Sequence, residues 1–239
     1  MKIYWTKVTE VIQESSDIYT YMLESPDEFS WEEGSFTHFA LEGFNDEEKP
    51  NRGLVRHMSI CTLPKEGKIG ITTRIKEQAS EFKETLREVK PGDKVALFRT
   101  FCNVPLRREN KTIYLLSQGV GIATFRPLVL EYLNNSSDIT HIHSINIDSS
   151  NEFLFSDIFS PDQNKNFTSE FINNRPDYYT RIEEVASDQD ALYYIVGSDE
   201  FIKQNIHILL EKNISEEQIM LDKRADLLPE FLPNLQTQA

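Results

Sequence analysis

The rhythm of apolar residues changes once along this chain, near residues 106–111, and that change limits the fold to two dissimilar halves. Before it, short runs alternate apolar and polar side chains (IYWTKVTEVIQ, IYTYMLE, FTHFALE, LVRHMSI, IGITTRI, DKVALFR), separated by turn-forming clusters such as SPDE, PKEG and KPGD. Evenly spaced short strands with polar turns predict an antiparallel barrel or sandwich. One helical patch interrupts them over residues 80–89, where Phe82, Leu86 and Val89 recur at i, i+4 and i+7 and Pro91 with Gly92 ends the segment. It is expected to cover the open end of the barrel. After Lys111, apolar strands alternate with helical stretches: TIYLLSQ then ATFRPLVLEYL, THIHSINI then a stretch containing FLFSDIF, and ALYYIVGS then EFIKQNIHILLEK. That order predicts an α/β domain with a parallel sheet and crossover helices. The expected domains are 1–108 and 109–239. Residues 160–177 read as a loop, and the terminal EFLPNLQTQA as a segment with few apolar residues.

Composition sets the class. With 39% hydrophobic residues in 239, the chain holds enough apolar material for one or two cores. No run of eighteen apolar residues lacks a charge, and the start has no secretory pattern, so the expectation is a soluble, cytoplasmic protein away from the membrane. Two cysteines, Cys61 and Cys102, are too few for a disulfide framework or a four-cysteine cluster. The net charge of −14 argues against nucleic acid as a partner. Its distribution is uneven: residues 1–50 carry −9, 51–111 carry +7 and 112–239 carry −12. A basic centre in an acidic chain suits either solvated surface or a phosphate-bearing cofactor.

Two stretches carry the chemistry. Gln118, Gly119, Val120, Gly121, Ile122, Ala123 and Thr124 lie between a strand and a helix. Two glycines there permit a tight turn that brings backbone amides to an anion, or a turn that needs small residues for packing alone. The second set is Arg56, His57, Met58 and Ser59 on one strand, Thr72, Thr73 and Arg74 on the next, and Ala79 with Ser80 at the helix start. A guanidinium forks onto phosphate, hydroxyls meet a polar ligand edge, and a serine caps a helix.

Taken in order, R-x-x-S, TTRI-x-x-x-A-S-x-F-K-x-x-L, K-P-G-D-K-V, the G-V-G-I turn and Y-Y-I-V-G-S resemble the ferredoxin–NADP reductase superfamily over about residues 30–222. The resemblance implies an FAD-binding antiparallel β-barrel of the Greek-key type followed by an α/β Rossmann-like NAD(P)H-binding domain with a parallel sheet. It implies that Arg56 grips the flavin pyrophosphate, that Ser59 faces flavin N5, and that His57 lies near flavin phosphate or adenine. It further implies that Thr72 and Thr73 line the flavin and its ribityl chain, that Ser80 meets the pyrophosphate, and that the turn at Gly119 and Gly121, with Gly197 and Ser198, receives the nicotinamide dinucleotide. Against the family pattern, Met58 replaces an aromatic residue, Ala123 and Thr124 replace threonine and proline, and Gly197 is preceded by Val196 and followed by Ser198. Arg99 to Cys102 carry no glycine where the family has two. The segment that would read a 2′-phosphate is Ser144, Ile145, Asn146, without arginine, which tilts the expectation toward NADH unless Arg175 or Arg181 supplies the charge.

The function this implies is an FAD-dependent oxidoreductase that passes electrons from NAD(P)H to a small redox protein such as ferredoxin or flavodoxin, or to a small-molecule acceptor. The other reading is a flavin- or nucleotide-binding sensor or partner subunit with little turnover. His141 and His143 share one face of a strand but have no third ligand at metal spacing, so no metal site is expected. Arg107 and Arg108 read as a linker pair, and the sequons at Asn134, Asn166 and Asn213 carry no weight without a secretory signal.

Overall fold

Period-two alternation organises the first unit of the computed structural model, which describes residues 2–46, 48–159 and 167–235. The chain divides into Met1–Pro105 and Leu106–Ala239. In the first, β1 (Tyr4–Gln13), β2 (Ile18–Glu24), β3 (Ser35–Leu41), β4 (Val55–Ser59), β5 (Lys68–Arg74) and β6 (Lys94–Cys102) form an antiparallel sheet in the order β4-β3-β6-β1-β2-β5. Tyr21 and Leu23, Phe39 and Leu41, Ile69 and Ile71, and Val95 and Leu97 alternate into one core. The two ends of the sheet meet just past β4: the Cys61 N–H donates to the Gly70 carbonyl at 2.9 Å, and the Gly70 N–H donates to Thr62 Oγ1 at 2.9 Å. A Cβ on Gly70 would stand 2.8 Å from Cys61 Sγ, so the barrel closes there only because position 70 has no side chain.

Helix α1 (Glu81–Arg87) covers this barrel as expected, with Phe82 and Leu86 fully buried. The Tyr21 hydroxyl donates to the Leu86 carbonyl at 2.9 Å and pins the helix end to β2. Where the family has glycine, Arg99 adopts φ +50, and the register of β6 against β3 slips by one residue beside it.

The second unit is a parallel sheet in the order β11-β10-β7-β8-β9. Its strands are β7 (Lys111–Gln118), β8 (Ile139–Ile147), β9 (Phe167–Ile172), β10 (Leu192–Val196) and β11 (Ile219–Leu221). Its helices are α2 (Ile122–Asn134), α3 (Arg175–Val185) and α4 (Asp199–Glu211). The fold class is the one the sequence predicts, but three local expectations are corrected. The FLFSDIF stretch forms turns, not a helix: Phe153 stacks on Phe171 at 4.6 Å while Leu154 and Phe159 are buried, so three apolar groups anchor an irregular segment. Within the expected loop 160–177, residues 167–172 pair with β8 as an edge strand and α3 begins at Arg175. Asn174 caps that helix by accepting the Asp177 N–H at 3.0 Å. Residues 160–166, including the sequon at Asn166, lie outside the described residues. In the terminal segment, Phe231 and Leu232 join the core of the parallel sheet. Among the described residues no helix is long and apolar enough to cross a membrane.

Candidate functional site

The arginine of β4 is held in a preset pose. Arg56 Nη1 donates to the carbonyls of Val55 (2.7 Å), Gly53 (3.2 Å) and Arg52 (3.3 Å), and its Cζ lies 5.3 Å from the centre of the Phe82 ring. A cation over an aromatic face with one nitrogen tied to backbone leaves the rest of the fork for an anion. The residue after Phe82 is Lys83, half-buried, whose ammonium donates to the Thr73 hydroxyl. Burial, and then the neighbouring Arg56 charge, push Lys83 down to about 8. Lys83 is the lysine of the A-S-x-F-K motif, but sequence reasoning gave it no role because its helical position looks like a solvated one. The available signal was a lysine flanked by the two buried positions Phe82 and Leu86.

Strand parity divides the remaining residues of this set. Met58 shares Arg56's parity and packs against the barrel core, as does Ala79. His57 is on the opposite face, 2.7 Å from His38 (Nε2 to Nε2) and beside Phe36, so it does not join Arg56. Thr73 faces Lys83, whereas Thr72 turns to Thr20 Oγ1 (2.8 Å) and Cys61 Sγ (3.3 Å). The two threonines therefore do not line one surface. Arg74 is paired with Asp17 at 3.1 Å. Ser59 ends β4 and is half-buried. Ser80 is the N-cap of α1 without a side-chain cap bond, and Glu81 and Glu84 in the first turn put negative charge there, which works against an anion at that helix start. A recess of about 860 Å³ lies beside β5 and α1, lined by Tyr19, Ile75, Lys76, Gln78 and Arg87 among others, within the size range of small-molecule sites.

In the second unit β7 is central, with β8 and β9 on one side and β10 and β11 on the other. The switch in direction of strand succession falls between β7 and β10, whose ends are in register at Ser117 and Val196. Ligands of such sheets bind outside the carboxyl ends of the strands at this switch. The 3-10 turn Gly119–Gly121 leaves β7 there, with Gly119 at φ +54, and Gly197 with Ser198 leaves β10. A Cβ on Gly121 would come 2.9 Å from the Val196 carbonyl oxygen, and one on Gly197 2.5 Å from Phe201 Cδ1. Close internal packing therefore accounts for both glycines. Gln118 Oε1 accepts from Ser198 N (3.3 Å) and Oγ (3.0 Å), joining the two turns, and Ser198 Oγ caps α4 by accepting the Phe201 N–H. Ile122, Ala123 and Thr124 are buried, Thr124 donating to Asp222 Oδ2 at 3.4 Å, so they offer a ligand backbone rather than side chains. Val120 is half-buried.

Ser144 and Asn146, expected beside the nucleotide, are each 1% exposed. The sheet buries both faces of β8, and Asn146 Nδ2 instead donates to Ser117 Oγ (2.9 Å), Ser117 O (3.4 Å) and Gly119 O (3.2 Å), holding the glycine turn. Asn146→Ala is expected to cost about 1–3 kcal/mol through these lost bonds, read as a lower denaturation midpoint. An unchanged midpoint would remove this role. Arg181 is committed to Glu170 (2.8 Å) and Glu184 (2.8 Å), and Arg175 to Glu200 (3.4 Å). The first acidic group beyond β8 is Asp148, with the parity of Asn146; its Oδ1 accepts from Ser150 N (2.9 Å) and Oγ (2.7 Å). Sequence reasoning passed over it although the predicted strand THIHSINI ends at Ile147, directly before it. His141 and His143 do share a face, both meeting Thr168 Oγ1, and burial holds both below the usual histidine range.

No protein-family model matches this chain, and no curated protein matches it in sequence. An antiparallel barrel followed by a doubly wound parallel sheet is nevertheless an architecture found among solved structures. The chain is similar to a ferredoxin NADP+ reductase from Neisseria gonorrhoeae solved with bound FAD and NADP (TM-score 0.77, 16% identity, covering 92% of this chain and 98% of that one). It is also similar to the CS-b5R domains of human Ncb5or in the NAD+ form (0.76, 15%, 93% and 70%) and to phthalate dioxygenase reductase (0.73, 13%, 92% and 67%). The chain shares its fold with these reductases, the fold that the motif order implied.

Proposed function

We propose that this protein is a flavin-dependent NAD(P)H oxidoreductase, with FAD on the barrel, a pyridine nucleotide at the β7–β10 crevice, and electrons passed on to a small redox protein or small-molecule acceptor. The observation that carries the reading is Arg56, fixed over Phe82 by backbone bonds and without a carboxylate partner among the described residues. The similarity to reductases solved with FAD, NADP or NAD+ supports it. Bound FAD supplies the redox chemistry, accepting a hydride and releasing electrons. The chain's own residues bind and orient. Arg56 neutralises diphosphate charge, Ser59 offers a hydroxyl to the flavin edge, and the amides of the Gly119–Gly121 turn meet the nucleotide's phosphates. The test is the visible spectrum of the purified protein, followed anaerobically with each nucleotide. A flavin spectrum bleached by a nucleotide supports the reading, and a colourless protein that cannot be reconstituted with FAD overturns it.

For the nucleotide, the buried Asn146, the committed Arg181 and the carboxylate of Asp148 at the end of β8 all favour NADH. A carboxylate accepts a ribose hydroxyl and repels a 2′-phosphate. Repulsion of about 1–2 kcal/mol predicts NADH reducing the flavin on the order of tenfold more efficiently than NADPH, checked as kcat/KM with a dye acceptor; equal efficiency would remove Asp148 from this role. A second reading, a flavin-binding sensor or partner subunit, is favoured by the internal packing that accounts for Gly121 and Gly197. Bound FAD that neither nucleotide bleaches would select it.

A further inference from the structure

Of the chain's cations, most that approach another charged group do so through a carboxylate: Arg74 with Asp17, Arg87 with Glu84, Lys111 with Asp190, Arg181 with Glu170, Lys223 with Asp199. Among the described residues Arg56 and Lys83 stand apart. The Arg56 Cζ lies 5.3 Å from the ring of Phe82, the residue before Lys83, close enough for its charge to reach the ammonium; Arg56's bonds run to backbone carbonyls and Lys83's to a neutral hydroxyl. Two like charges brought together with partial loss of water are unfavourable unless an anion joins them. In a chain with 39 acidic residues, the absence of a carboxylate contact to this pair among the described residues marks a place kept for an external anion.

We propose that Lys83 is a second cation of a diphosphate cradle, so that the anion bridges the free fork of Arg56 and the ammonium of Lys83, with Thr73 fixing the lysine's reach. The inference rests on the flavin reading and adds to it a residue with a defined ligand group, the flavin's diphosphate. The packing alternative is an aliphatic stem covering the barrel with its head in water. Against it, the Lys83 head turns onto Thr73, which is buried. The other charged groups on the surrounding elements are accounted for. On α1, Glu84 pairs with Arg87, and Glu81 reaches toward Gly53, where a Cβ would stand 2.8 Å from its Oε2. On β5, Arg74 pairs with Asp17, and Arg52 lies on the 3-10 turn before β4.

The experiment measures FAD and riboflavin affinity by fluorescence for the full chain, Lys83→Met and Lys83→Arg between pH 6.5 and 9.5. Riboflavin lacks the diphosphate. Lys83→Met is expected to weaken FAD roughly 10- to 100-fold, the range for a lost charge-assisted bond, and to leave riboflavin unchanged. The free lysine titrates at about 8 and a bound anion raises that value. FAD affinity of the natural chain should therefore be greatest below pH 8 and fall above it, while Lys83→Arg stays flat. Wild-type FAD affinity in Lys83→Met overturns the inference and leaves the flavin reading intact, and so does an equal loss for FAD and riboflavin. A natural chain that binds FAD at no pH overturns the flavin reading and this inference with it.

Discussion

Arg56→Ala is expected to strip the protein of FAD. The side chain's stem, its stacking on Phe82 and its three backbone bonds all serve to hold one guanidinium in a fixed pose, so little ordering remains for a diphosphate to impose. Loss of a bidentate, charge-assisted contact is worth roughly 3–4 kcal/mol, on the order of 10²- to 10³-fold in affinity. Folding should change little, because the groups released are carbonyls that water can reach. The measurement is the flavin-to-protein ratio after gel filtration, beside a urea denaturation curve. Unchanged flavin content would remove the diphosphate from β4.

Phe82→Ala is expected to destabilise the barrel. The ring is fully buried, packs edge-on against Phe39 at 6.2 Å and lies beneath Arg56. Truncating a buried phenylalanine costs about 3–5 kcal/mol, a large part of the 5–15 kcal/mol typical of a domain. Phe82→Leu separates the two duties of the ring: it retains most of the buried volume while losing the aromatic face. It should fold with a loss of roughly 1–2 kcal/mol and still hold FAD less tightly than the natural chain. Wild-type stability of Phe82→Ala would mean that α1 is not seated on the barrel.

Much of the architecture was legible because periodicity reports burial. Phe82 and Leu86 appear at helical spacing and enter the core, and TIYLLSQ and ALYYIVGS are continuous apolar runs that become the two central strands β7 and β10. Helix α3 was obscured because Arg175, Pro176 and Asp177 look like loop, although proline in the first turn after an asparagine cap is a start signal. FLFSDIF misled in the other direction: its apolar residues are spent on anchoring turns. At the candidate site, spacing gave residue types but not sides. His57 and Thr72 sit next to Arg56 and Thr73 in the chain and face away from them. Asn146 reads as a polar strand-end residue, yet its amide is consumed by Ser117 and Gly119. Lys83 needed three elements in place before its company could be seen.

The order of elements along the chain also sets a schedule for synthesis. Every residue of the Arg56–Thr73–Lys83 cluster has left the ribosome before β6, and β6 completes the first sheet at Cys102, with more than half of the 239 residues still to be made. The crevice of the second unit has no second wall until β10 arrives at Leu192–Val196 and takes its place beside β7. Domains tend to fold as units from the N-terminus during translation. On the proposed reading, the part of the nascent chain that holds flavin is complete well before any nucleotide site exists.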